Sequence, residues 1–149
     1  MAGKTFKNTA GEIVDIPFKM KAVVQAGMGP ATSWPKTLRF EAAFDVPLLD
    51  KEPGHVLIMV KAAAITSFDV DTAEGENGIS SVGAVAGSAC AGIVVALGEG
   101  CKYTAINDEV YCSCLGGALA EYVSVPEELV SAKPPSLTYV IPRYDKHTS

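Results

Sequence analysis

The chain has 149 residues, 17 acidic against 12 basic side chains and a formal net charge of −5. That length suits one compact domain, and the acidic balance supplies no summed positive field to gather phosphate backbones or anionic lipid, which excludes nucleic acid and membrane surfaces as partners. The longest apolar runs, such as residues 89–97, fall short of the ~20 residues a spanning helix needs, so the composition reads as a soluble, cytoplasmic protein.

Residues 1–19 lack an apolar signal core, and Glu12 and Asp15 count against a mitochondrial import peptide, which avoids acids. They are expected to form a loose or edge-packed extension. Lys21 to Ala26 is a short apolar run closed by GMGP, a first strand and a turn. Thr37 to Ala42 alternates Leu38 and Phe40 against Arg39 and Glu41, which predicts a strand with the two apolar side chains inward. Pro47 and the DKEPG segment then turn the chain.

HVLIMVKAAAI, from His55 to Ile65, is apolar on both faces and predicts a strand in the middle of a sheet. Ser67 occupies an N-cap position before a short helix, FDVDTAE, ended by Gly75. Further strands are predicted over Cys90–Leu97, Glu109–Cys112 and Ala118–Val125, and Pro126-Glu-Glu-Leu suits a first helical turn with two acids at its positive end. Short strands, glycine turns and scraps of helix together predict a mainly β domain with short helices, a small barrel or sandwich.

The chemistry-bearing residues are sparse. Cysteines fall at 90, 101, 112 and 114 and histidines at 55 and 147, without the Cys-x2-4-Cys pairs of a zinc site. In a chain of this size they read as reduced thiols; Cys112 and Cys114 share one strand face and read as small buried hydrophobes. Gly98-Glu-Gly100 begins like a dinucleotide fingerprint, but Tyr103 stands in the third glycine's place, so a hairpin turn with positive-φ glycines is the better reading. His147 lies in a polar tail and His55 opens a strand; neither is placed as a catalytic base.

Four blocks in order, MKAVVQAGMGP, GHVLIMVKAAAITSFDVD, VAGSACAGIVVALGEG and NDEVYCSCLGGALAEYVSVPEELVSAKPPSLT, resemble the amino-terminal GroES-like half of medium-chain dehydrogenase/reductases, in the zinc-free quinone oxidoreductase and enoyl reductase branch. The resemblance implies a partly open GroES-like β-barrel over residues 20–138, with 1–19 an N-terminal extension and 139–149 a tail standing where the family enters its Rossmann domain. It also implies zinc-independent, NADPH-dependent reduction of a quinone or enone.

Zinc members carry a ligand cysteine in a Gly-Ile-Cys-Gly stretch and a Gly-His-Glu motif; here these fall on Ala64-Ile-Thr-Ser67 and Gly87-Ser-Ala89, placing Thr66 and Ser88 where soft ligands would be. The resemblance therefore implies no zinc. It matches Thr66 to a polar residue near the nicotinamide and Asp69 and Asp71 to the short helix lining the cleft, giving these three as candidate cofactor-binding residues. Thr66 or Ser67 as a helix cap and Asp69 as a first-turn acid are the structural alternatives.

Where the family runs into a long helix and a Rossmann domain, Pro142 breaks the pattern and a polar stretch follows. Without phosphate-binding glycines, tight dinucleotide binding and activity in the isolated chain are not expected. The face that would meet a Rossmann domain is expected to be apolar and exposed, which favours self-association or a Rossmann partner. The rival expectation is a non-catalytic β-barrel module that binds a protein through that face.

Overall fold

The computed structural model describes residues 4–7, 13–30, 32, 34–49, 52–75 and 82–139. The predicted Pro142 break and the tail after Tyr139 lie outside the described residues.

Strands dominate. In chain order they are β1 (Lys4–Lys7), β2 (Ile13–Ile16), β3 (Lys19–Gln25), a helical turn α1 (Trp34–Thr37), β4 (Leu38–Asp45), β5 (His55–Ala64), helix α2 (Ser67–Glu74), β6 (Ala89–Leu97), β7 (Glu109–Ser113), β8 (Tyr122–Pro126), a 3-10 turn (Glu127–Leu129) and β9 (Val130–Ala132). β1 pairs with β2, β3 with β4, and the remaining five form one antiparallel sheet in the order β8-β5-β6-β7-β9.

The continuous apolar run of β5 takes the interior position expected of it, flanked by β6 and β8. One face of the sheet buries Val56, Ile58, Val94, Val123 and Val125. The other buries Leu57, Val95 and Tyr122 against Ile16, Met20, Ala22 and Val46. Filling both faces of the central strands with branched side chains removes most of their apolar area from water, at about 25 cal/mol per Å². β3 is tied to the rest by Val23 N–H to Leu119 O (2.8 Å), Gln25 N–H to Ala84 O (2.9 Å) and Glu121 N–H to Lys21 O (3.1 Å). The two layers so joined make a partly open β-barrel, the expected mainly β class.

Several local expectations are corrected. Phe40 is not inward but 62% exposed. It pairs with Val23, whereas Arg39 and Glu41 oppose the buried Val24 and Ala22. A bulge between Met20 and Ala22 then shifts the register, so that Phe44, opposite Met20, is the aromatic packed on the core; one inserted residue exchanges the two faces of a strand.

The strand predicted over 118–125 begins only at Tyr122, because Ala118 and Leu119 donate instead to the carbonyls of Gly87 and Ala86. In Gly98-Glu-Gly100 only Gly100 has positive φ, +87°. Gly98 serves close approach: a Cβ there would stand 2.7 Å from His55 O. The helical turn at Pro126 is 3-10, and Glu127 is buried rather than solvated at a helix end. Its carboxylate accepts the backbone N–H groups of Lys102 (2.8 Å), Tyr103 (3.3 Å) and Thr104 (3.0 Å), pinning a loop distant in sequence.

Candidate functional site

β5 and β6 run antiparallel with Ala64 opposite Ala89, so the residues just beyond those two ends, Thr66 and Ser88, meet. Thr66 Oγ1 lies 2.6 Å from Ser88 Oγ. Thr66, not Ser67, is the N-cap of α2. At the third helical position Asp69 reaches back to accept the N-cap N–H of Thr66 at 2.8 Å through Oδ2, the reciprocal half of a capping box. The same oxygen accepts the Ser88 N–H at 3.2 Å and the Ser88 hydroxyl at 2.8 Å.

Two segments far apart in sequence are thus locked by one carboxylate. Ser88 is buried, while Thr66 and Asp69 are half-buried. The helix ends at Gly75 in the left-handed conformation (φ +78°), whose N–H returns to the carbonyls of Asp71 and Thr72.

Of the three candidate cofactor-binding residues, the structure brings two together. Thr66 and Asp69 belong to this constellation; Asp71 is exposed and is not part of it. Ser88, read from sequence only as a residue unable to hold zinc, is the third member. A local signal for part of this was available in the pattern Thr66-x-x-Asp69 before an apolar stretch.

A cavity of about 30 Å³ adjoins the constellation, lined by Gln25, Ile65, Phe68, Asp69, Thr72 and Gly87 among others. A wider groove of about 600 Å³ runs along the outer sheet face over Ala62–Ala64, Ala89, Ala91, Tyr111 and Tyr139. Chain neighbours of the Thr66–Ser88 pair line both spaces: Ile65 and Gly87 the first, Ala64 and Ala89 the second. Neither lining contains a lysine or arginine. Among the described residues, these linings therefore suit an uncharged hydrogen-bonding group and offer no cation for a pyrophosphate.

Among the described residues no group of three or more His, Cys, Asp or Glu side chains is arranged to hold a metal ion. Cys90, Cys112 and Cys114 are free thiols buried in the core. Cys90 and Cys112 oppose each other across β6 and β7, with their sulfurs 3.4 Å apart. Hydrogen bonding to Cys112, then to Cys114, and then burial push the Cys90 thiol above its ordinary pKa.

Comparison with known proteins places this geometry in a family. The family model for the alcohol dehydrogenase GroES-like domain matches residues 52–135. A trans-enoyl reductase of Petromyces alliaceus is 38% identical over 109 residues, 67% of this chain and 30% of its own length. The chloroplastic NADPH-dependent alkenal/one oxidoreductase of Arabidopsis thaliana is 32% identical over 135 residues, 83% of this chain and 33% of its own. The solved quinone oxidoreductase of Coxiella burnetii superposes with a TM-score of 0.67 at 25% identity, over 82% of this chain and 39% of that one. The chain spans about a third of the length of the curated relatives it matches. With the β-barrel and the matched residues in agreement, the chain belongs to the alcohol dehydrogenase GroES-like domain family, and its relatives include quinone and enoyl reductases of the medium-chain dehydrogenase/reductase superfamily.

Proposed function

We propose that the chain forms the nicotinamide-facing half of a zinc-independent, NADPH-dependent reductase of quinones or enones, and that by itself it holds the dinucleotide weakly. The observation that carries this reading is the meeting of Thr66 and Ser88: the two positions where the resemblance puts zinc ligands lie 2.6 Å apart as hydroxyls. Two hydroxyls hydrogen-bonded to each other, the Ser88 one also donating to Asp69, are poor ligands for zinc, which takes thiolate, imidazole or carboxylate. Without a Lewis acid, the protein's part in hydride transfer is to hold donor and acceptor in register.

In this reading residues 20–138 are the GroES-like domain, 1–19 precede it and 139–149 follow where a Rossmann domain joins in the relatives. The cytoplasmic location expected from composition belongs to the same reading. Thr66 contacts the nicotinamide; Asp69 supports Thr66, and Asp71 faces solvent beside the cleft. NADPH, when bound, supplies the hydride. The cation-free lining fits its nicotinamide end and leaves the phosphates to a second domain.

Titrating the chain with NADPH while recording backbone amide resonances tests this. Shifts at Thr66, Asp69 and Ser88 are expected, saturating only above about 0.1 mM, since neither lining carries a cation to hold the phosphates. No shift at these three residues would overturn the nicotinamide contact, and micromolar saturation would overturn the weak-binding part.

The exposure of Leu115 (76%) and Ile65 (56%) beside the cleft favours one alternative, a non-catalytic module that docks a protein there, a second copy of the chain included. NADPH-silent resonances together with concentration-dependent sedimentation would select it.

A further inference from the structure

The direction of every hydrogen bond around Thr66 follows from the geometry. Asp69 Oδ2 receives two backbone N–H donors, from Thr66 at 2.8 Å and from Ser88 at 3.2 Å. An oxygen facing two fixed donors carries no proton of its own, so the 2.8 Å contact with Ser88 Oγ is made by the serine's proton. A hydroxyl has one proton to give. Ser88 has spent its proton on Asp69, so the 2.6 Å contact with Thr66 Oγ1 is made by the threonine's. The order is fixed: Thr66 O–H donates to Ser88, and Ser88 O–H donates to Asp69.

We infer that Ser88, anchored by Asp69, is a positioning residue that turns the Thr66 hydroxyl into an obligate hydrogen-bond acceptor, so that the ligand group it meets is a donor, an amide N–H or a hydroxyl, and not a carbonyl or carboxylate oxygen. This rests on the reading above for the place of the ligand, but the direction of the relay does not depend on it. Thr66 Oγ1 accepts the Asp69 backbone N–H with one lone pair, as the other half of the capping box, and keeps the second, half-buried, for a ligand. Ligand orientation is set as a consequence: of the two ends of a carboxamide, only the N–H2 end is accepted at Thr66, and the carbonyl end points elsewhere. A free threonine hydroxyl would rotate to serve either end; this one cannot.

Two measurements test it. In the free protein, the hydroxyl protons of Ser88 and Thr66 are expected to exchange slowly enough for detection by NMR at low temperature, with the Ser88 proton directed at Asp69 and the Thr66 proton at Ser88. A Ser88 hydroxyl proton that exchanges with bulk water or points at Thr66 overturns the relay.

The second measurement compares nicotinamide with methyl nicotinate, a probe of similar shape without the N–H2 donor, by amide shifts at Thr66. The relay predicts that methyl nicotinate binds about tenfold more weakly, the worth of one net hydrogen bond. Ser88→Ala frees the Thr66 proton to donate, and the ratio falls toward one; a merely structural role for Ser88 would weaken both probes alike and leave the ratio in place. Equal binding of the two probes to the wild-type chain overturns the donor requirement while leaving the nicotinamide contact standing. If neither probe shifts Thr66, the nicotinamide contact fails, and the hydroxyl-proton positions still decide the relay.

Discussion

Ser88 and Thr66 are 22 positions apart in sequence, yet their hydroxyl oxygens lie 2.6 Å apart, and Asp69 accepts from the backbone N–H groups of both. One carboxylate therefore joins the start of α2 to the start of β6. Removing it strands three donors, two of them on buried Ser88. Asp69→Ala is expected to lower stability by about 1–3 kcal/mol, the cost of leaving buried donors unpaired. Asp69→Asn retains an acceptor oxygen and falls between the two. Urea midpoints measure the order, and an alanine variant as stable as the parent would contradict the bracing role.

Gly92 of β6 stands opposite Val60 of β5. A Cβ there would stand 2.1 Å from Met59 O and 2.8 Å from Ile58 Cγ2. Backbone on one side and core on the other leave nowhere to shift, so Gly92→Ala is expected to cost at least about 1–3 kcal/mol. Gly27 is the contrast: its nearest neighbour would be Thr37 Cγ2 at 3.7 Å, an ordinary contact. Gly27→Ala is expected to stay within about 0.5 kcal/mol of the parent. Thermal or urea unfolding of the pair reads the difference.

β5 was legible because its apolar run admits few placements other than a sheet interior, and α2 because Gly75 marks its end and a capping hydroxyl its start, although the cap is Thr66 and not Ser67. Phe40 was misplaced for a physical reason: strand alternation tells which residues share a face, not which face is inward. The bulge at Met20/Ala22 changes that answer partway along β4. Glu127 and the Ser88–Asp69 contact were illegible for another reason. Each joins segments about twenty or more residues apart, and no local pattern encodes which carboxylate will find which backbone donors. The resemblance located Thr66 and Ser88, but only the fold shows that they touch.

The thiols differ in access. Cys90, Cys112 and Cys114 are buried among Val56, Ile58 and Val110, whereas Cys101 is half-buried with its Sγ donating to His55 O at 3.3 Å. Burial and then the nearby Glu127 charge push the Cys101 thiol up, against a weaker opposing hydrogen bond at Gly98. A soluble aromatic disulfide is therefore expected to modify Cys101 first, faster as pH rises, with the other three protected until the chain unfolds. Mass spectrometry of the modified protein checks the order, and early labelling of Cys90 or Cys112 would contradict the packing described.

Glu127 contributes stability that is lost in acid. Burial opposes the charged form, but the backbone donors of Lys102, Tyr103 and Thr104 outweigh it, and the carboxyl is held below its usual value. In the unfolded chain a glutamate titrates near about 4.3. A group depressed on folding contributes stability that is present above the unfolded value and lost as pH falls through the folded one. Glu127→Gln is therefore expected to be less stable than the parent at neutral pH, with the gap closing as the solution is acidified below about pH 5. Urea unfolding of both proteins across that range measures the gap. Parallel stability profiles down to the acid limit would show that the loop at 102–104 is held by something other than this charge.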